Sequence, residues 1–221
     1  MLCWHSILQY WHLQQYGQTI KRAEGWRRHR TIWGFVNETF QETCCSQKEQ
    51  QIMYSEYKRH HDFKYQTVIC SDDLIDSIAG LYKEKINDHI IVQNFDLKQN
   101  LQQVCSDCQP LYLFEDQTYK HLNSIFSLYL EEQTLTDDKA AFNHRLSSVQ
   151  IAVEQAFEQT QNLWTYNAFS TQLRSELQSV AAYYPVSVLL TNCYTCMHDN
   201  SAAESQFLVQ PSSIKKYLIS D

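Results

Sequence analysis

Three segments of this chain each join an apolar run to one polar side chain that could bind a metal ion, and this pattern constrains the fold most. The run at 31–37 is rich in strand-forming residues and ends at Asn37. A second run, 111–115, is followed by Asp116, and Glu154 flanks the apolar stripe of a long amphipathic helix. Polar groups at the ends of neighbouring strands and on a helix packed against the sheet can converge on one site. The pattern therefore predicts an α/β fold.

The order of the predicted elements indicates a mixed sheet flanked by helices. An antiparallel meander of three strands comes first, because Ser71-Asp72-Asp73 is a turn signal between two strand-like runs. A helix, a returning strand and further helices follow, which is the order of the ribonuclease H-like fold. The predicted strands are 31–37, 62–70, 74–81 and 111–115. The predicted helices are 3–22, 88–104 beginning at Asp88, 119–130, 139–163 capped by Asp137 or Asp138, 173–197 with Pro185 inside, and a short terminal turn or helix at 214–218.

The composition fits a single packed domain with an acidic surface. The 221 residues are 43% hydrophobic, and the formal net charge is -7. There is no apolar run of about 18 residues, which predicts no membrane span. We expect the 8 cysteines to be reduced thiols inside a cell. Any contact with nucleic acid must come from local basic patches, at 21–30 and 58–64, since the protein as a whole is acidic.

The side chains of Asn37, Asp116 and Glu154 offer oxygen atoms, which are the donors that Mg²⁺ and Mn²⁺ prefer. Phosphodiester cleavage by two metal ions needs such groups to converge, because the ions lie about 3.5–4 Å apart and hold the attacking and leaving oxygens. The residues alone leave a simpler alternative open. Asp116 and Asp88 could each be an ordinary N-cap of a helix.

Five motifs in order make the chain resemble the nuclease domain of DDE superfamily endonucleases of the PIF/Harbinger type. The first family motif, Gly-Phe-hydrophobic-Asp-Gly-Thr, matches Gly34–Thr39 with Asn37 in place of the aspartate. The other four matches are the basic segment Tyr54–Gln66, Gly80 with Asp88, Asp116 with Tyr119, and Phe142-Asn143 followed by Val153-Glu154 and Phe157. Together they cover about residues 30–200, and five ordered motifs are more specific than one.

The resemblance implies a transposase-derived DNA endonuclease of ribonuclease H-like fold that uses Mg²⁺ or Mn²⁺. The implied catalytic residues and metal ligands are Asn37, Asp116 and Glu154, with Asp88 as a weaker further ligand. The implied DNA contacts are Lys58, Arg59 and Lys64. The resemblance also implies a nuclear location and a separate DNA-binding protein as partner, and it gives no reason to expect a membrane.

The chain departs from the family motifs at positions that matter for catalysis. Asn37 offers an amide oxygen but no charge, so cations held there would bind more weakly. The neighbouring Glu38 points to the opposite face of a strand and cannot simply replace it. Glu38 and Glu115 stand where the motifs have glycine, and Asn87 stands where they have histidine. We therefore expect cleavage to be impaired.

Two further interpretations remain open. One is a catalytically silent interaction module, or an eroded remnant of a mobile element, with the same fold. The other is a zinc-stabilised scaffold built on Cys105/Cys108 and Cys193/Cys196, although the long separation of the two pairs favours buried thiols instead. The predicted organisation is an N-terminal helical lead-in at 1–29, the nuclease domain at 30–200 and a tail at 201–221.

Overall fold

A computed structural model describes residues 2–3, 10–23, 31–43, 61–83, 111–115, 125–129, 136–167, 180–198, 207 and 209–219. The strands in these ranges are β1 (Leu2–Cys3), β2 (Thr31–Thr43), β3 (His61–Cys70), β4 (Ile75–Lys83), β5 (Leu111–Phe114) and β6 (Ile125–Phe126). The helices are α1 (Tyr10–Ala23), α2 (Asp137–Leu163), α3 (Val180–Met197) and α4 (Ile214–Leu218), with a 3-10 turn at Thr165–Asn167.

The six strands form one mixed sheet in the order β1-β4-β3-β2-β5-β6. β2, β3 and β4 make the predicted antiparallel meander, and β1 pairs antiparallel with β4 at the edge. β5 and β6 extend the other side of β2 with parallel pairing. The predicted α/β class, a ribonuclease H-like mixed sheet flanked by helices, is therefore confirmed.

The helices bury one face of the sheet against a shared apolar core. Phe35 of β2 and Tyr65 of β3 belong to one cluster with Phe157 of α2 and Tyr184 of α3. The Tyr65 and Tyr184 rings lie 4.7 Å apart between centroids. Because side chains on a strand alternate between faces, the odd-numbered positions of β2 from Phe35 onward face this helical layer.

The described residues correct several predicted boundaries. Asn37 does not end its strand, since β2 continues to Thr43. The first predicted helix does not begin at residue 3, because Cys3 pairs with Ser77 in the sheet. Residues 125–129 are not helical, because Ile125–Phe126 pairs with β5.

The long helix α2 also begins differently from the prediction. Its N-cap is Thr136, while Asp137 and Asp138 lie in the first turn. Negative side chains there interact favourably with the positive end of the helix dipole. The helix predicted over 173–197 is described from Val180 and continues through Pro185. The predicted helix at 88–104 lies outside the described residues. Among the described helices, none has both the length and the apolar character needed to cross a bilayer.

Candidate functional site

Asn37 lies in the middle of β2, on the face that carries the helices. It is half-buried and pairs with Thr67 of β3, whose hydroxyl donates a 3.3 Å hydrogen bond to the Asn37 carbonyl. The side-chain oxygen of Asn37 accepts a 2.9 Å hydrogen bond from the backbone N–H of Glu38. An amide oxygen has two lone pairs, so one remains for a further donor or a cation. The position suits a ligand held rigidly by a central strand.

Glu154 lies on α2 and is exposed. The buried stripe of this helix includes Leu146, Phe157 and Thr160, each less than 5% exposed. Glu154 is three residues before Phe157, which places it beside that stripe rather than on the opposite side of the helix. A carboxylate at this border could reach a substrate in solvent while its helix stays packed on the sheet.

A hydrogen bond fixes α2 against β2 close to the site. The Gln161 side chain donates to the Phe40 carbonyl at 3.3 Å. Glu154 precedes Gln161 by seven residues, about 10 Å along a helix. Asn37 precedes Phe40 by three residues, again about 10 Å along a strand. Phe35 and Phe157, which precede this bond on the strand and on the helix, belong to the same core cluster.

The third expected ligand, Asp116, lies outside the described residues, as do Asp88, Lys58 and Arg59. The strand that leads to Asp116 is nevertheless the parallel neighbour of the strand with Asn37. The last described register pair joins Phe35 to Phe114. Phe35 and Phe114 each precede a predicted ligand position by two residues in the sequence.

The neighbouring charges lie on the opposite face of the sheet. Glu38 and Lys64 form an ion pair of 3.3 Å, and both side chains are largely buried. The Lys64 ammonium also lies 5.4 Å from the centroid of the Phe40 ring. In this arrangement Glu38 is directed away from Asn37, and Lys64 is engaged in the sheet rather than open to a phosphate.

Buried polar side chains continue along the helical face of β2 beyond Asn37. Gln41 donates from its amide to the side-chain oxygen of Asn167 at 3.4 Å, and Tyr65 donates to the Gln41 oxygen at 3.4 Å. Asn167 in turn donates to the Ser187 hydroxyl at 2.6 Å. Burial raises the pKa of the Tyr65 and Tyr184 hydroxyls, so both stay protonated. No motif in the sequence indicated this network, because uncharged amides and hydroxyls have no distinctive spacing.

A second feature that sequence reasoning missed is a buried acidic turn between β3 and β4. The carboxyl groups of Asp72 and Asp76 are 4% and 6% exposed. Burial raises the pKa of Asp72 to about 6 and that of Asp76 to about 8. Tyr16 of α1 donates a 2.9 Å hydrogen bond to Asp72. The turn was predicted from the sequence, but its burial was not.

The donor atoms of the predicted site fit a hard divalent cation. Asn37 and Glu154 supply oxygen, and together with the family carboxylate at Asp116 they match the preference of Mg²⁺ and Mn²⁺. Among the described residues alone, no group of three His, Cys, Asp or Glu side chains could hold a metal ion. Of the cysteines proposed for zinc, Cys193 and Cys196 are free, half-buried thiols at the end of α3, and Cys105 and Cys108 lie outside the described residues.

Comparison with known proteins identifies the family of the chain. The family model described as DDE superfamily endonuclease matches residues 37–192, which is well over half of the chain and includes all three expected ligand positions. The search of curated proteins and the search of solved structures gave no match. The mixed sheet, the helices packed on it and the family match lead to one conclusion: the chain belongs to the DDE superfamily endonuclease family.

Proposed function

We propose that this chain is a nuclease domain of transposase origin, of the PIF/Harbinger type, whose cleavage of DNA depends on Mg²⁺ or Mn²⁺ and is impaired by Asn37. The observation that carries the proposal is the position of Asn37. It occupies a central strand on the helical face, and the Gln161 bond joins a later residue of that strand to the helix that carries Glu154.

In this proposal the Asn37 amide oxygen and the carboxylates of Asp116 and Glu154 hold the cations, and Asp88 is a weaker further ligand. Bound divalent cations would supply an activated water and stabilise the leaving oxygen of the phosphodiester. Asn37 supports this chemistry poorly, because a neutral amide provides less of the negative charge that two cations require. The neighbouring Glu38 does not compensate, since it is bound to Lys64 on the other face.

The proposed DNA contacts are local, because the protein as a whole is acidic. In this proposal Lys58 and Arg59 contact phosphate groups of the DNA. Lys64 could join them only after leaving its ion pair with Glu38. The proposal further includes a nuclease domain at 30–200, a nuclear location and a separate DNA-binding protein as partner.

The same geometry supports a second candidate function, a catalytically silent interaction module. The specific observation in its favour is that the site holds an amide at Asn37 and that Glu38 is not available to replace the missing charge. The two candidates differ in one observable, which is metal-dependent cleavage.

Plasmid cleavage in the presence of Mn²⁺ tests the proposal. The natural chain is compared with Asn37→Asp, and with Asn37→Asp combined with either Asp116→Ala or Glu154→Gln. Asn37→Asp alone should cleave, and each second substitution should abolish cleavage. A Glu38→Gln/Asn37→Asp variant serves as the matched control and should still cleave, because Glu38 is on the other face. If no variant cleaves, the silent module is the better description.

A further inference from the structure

The strand with Asn37 and the helix with Glu154 are joined a second time, by a buried pair of amides. Gln41 is 3% exposed and Asn167 is 7% exposed. Their side chains meet at 3.4 Å, from the Gln41 nitrogen to the Asn167 oxygen. Gln41 shares the face of Asn37, and Asn167 ends the 3-10 turn that directly follows α2. The contact therefore links the two elements of the proposed site at their common end.

Each of the two amides makes a second hydrogen bond through its other polar atom. The Gln41 oxygen accepts from the Tyr65 hydroxyl, and the Asn167 nitrogen donates to Ser187 at 2.6 Å. Ser187 is completely buried on α3 and donates to the Tyr183 carbonyl at 2.8 Å. If the side-chain amide flipped, its oxygen and nitrogen would exchange places and both hydrogen bonds would be lost. A buried polar group left without a partner costs about 1–3 kcal/mol. The pair is thus fixed in orientation as well as in position.

A fixed amide pair controls how far α2 slides along β2. Apolar burial is non-directional, so it does not by itself resist a shift of about an ångström along the strand. A hydrogen bond loses most of its strength over such a shift and through poor alignment. The Gln161 bond to the Phe40 carbonyl lies on the same side of the site, so both fix the same level.

We propose that Gln41 and Asn167 are positioning residues, which set the level of the Glu154 carboxylate relative to residue 37 and thereby the affinity of the site for a divalent cation. This inference rests on the proposed function. The pair touches neither cation nor substrate, and it acts through the placement of β2 and α2.

The test measures Mn²⁺ affinity by electron paramagnetic resonance and thermal stability by circular dichroism, on the full chain with Asn37→Asp. Gln41→Leu should raise the Kd for Mn²⁺ about tenfold or more, as loss of groups that orient metal ligands does elsewhere. Gln41→Leu combined with Asn167→Leu leaves neither amide facing a lost partner amide, so it should recover part of the stability, while the Tyr65 hydroxyl still loses its acceptor. Its Kd should stay high, which a purely structural role would not produce.

A matched control removes a different buried hydrogen bond in the same region. Trp164 donates to the Thr191 hydroxyl at 2.9 Å, linking the end of α2 to α3 without involving β2. Thr191→Val also removes the 2.8 Å bond to the Ser187 carbonyl but keeps the Ser187 hydroxyl that receives Asn167, so it should lower stability and leave the Kd unchanged.

The outcomes separate the two proposals. If Asn37→Asp binds Mn²⁺ and the Gln41 and Asn167 variants bind it equally well, the positioning role is wrong and the proposed function stands. The positioning role is also wrong if the Kd returns to its starting value in the double leucine variant. If Asn37→Asp itself binds no Mn²⁺, both proposals are overturned.

Discussion

Asp76 should make this protein less stable as the pH rises, and replacing it should remove the effect. Its carboxyl group is 6% exposed in β4, and burial raises its pKa to about 8, with a further contribution from the nearby charge of Asp72. In the unfolded chain the pKa returns to its ordinary value near 3.8. The folded state therefore holds a proton that the unfolded state has released.

The sign and size follow from proton linkage. Between pH 6 and 7 the folded protein binds about one more proton at Asp76 than the unfolded chain, so the free energy of unfolding falls by about 1.4 kcal/mol per pH unit, and this slope halves near pH 8. The full stabilisation is present below the unfolded pKa and is lost as the pH rises through about 8. Asp72 contributes in the same direction at lower pH, because its folded pKa is about 6.

Urea unfolding at pH 6, 7 and 8 measures this slope directly. The Asp76→Asn variant should show a smaller loss of stability over this range, with a difference from the natural chain of about 2–3 kcal/mol between the end points. Asp138→Asn changes an exposed carboxyl in the first turn of α2 and should leave the slope unchanged. Equal slopes for the natural chain and Asp76→Asn, or stability that rises with pH, would refute the reasoning.

Three further substitutions have expected effects on thermal or urea unfolding. Gly34→Ala should destabilise by about 1–3 kcal/mol, because the new Cβ would lie 2.9 Å from the Ile69 carbonyl oxygen; a neutral effect would show that the two strands can separate at no cost. Asn192→Ala should cost about 2–4 kcal/mol, because its buried side chain bonds both the N–H and the C=O of one β4 residue at 2.9 and 2.8 Å; a loss below 1 kcal/mol would contradict this. Lys64→Met should destabilise more than the combined Lys64→Met/Glu38→Leu variant, because the single change leaves a largely buried carboxylate without its ion pair; the reverse order would contradict it.

The meander could be predicted from the sequence because its signals are local. Runs of strand-forming residues and the turn at 71–73 specify two strands and their connection without help from distant parts of the chain. The observed strands β3 and β4 agree with the predicted ones within two residues at each end. The same holds for α2, whose apolar period extends over many turns.

The end of β2 could not be predicted, because the strand continues through polar residues. Thr39 and Gln41 are buried, and Gln41 has its bonding partners on a distant turn and on β3. Nothing in the local sequence indicates such partners, so the apolar run predicts a strand that ends at Asn37. This difference concerns the site as well as the fold, because Asn37 lies within a central strand rather than at the end of one.

Tertiary pairing explains the other differences. Ile125 and Phe126 have ordinary helix-compatible neighbours, but pairing with β5 and packing of the Phe126 ring on Phe142 at 5.3 Å override the local preference. The acidic turn resembles an exposed loop in sequence, whereas in the fold it is buried and its Asp72 accepts a hydrogen bond from Tyr16 of α1. The residues of the candidate site follow from motif resemblance, whereas the face of Asn37 and the exposure of Glu154 are visible only in the structure.

The central claim is that the natural chain carries a nuclease site weakened by one missing charge, and Mn²⁺ binding to the natural chain and to Asn37→Asp tests it most directly. Isothermal titration of both proteins at the same pH and salt concentration gives the two affinities. The account predicts that Asn37→Asp binds Mn²⁺ at least about tenfold more tightly, because a carboxylate adds a charged oxygen ligand where the amide has none. Equal affinities, or no binding by either protein, would contradict the account.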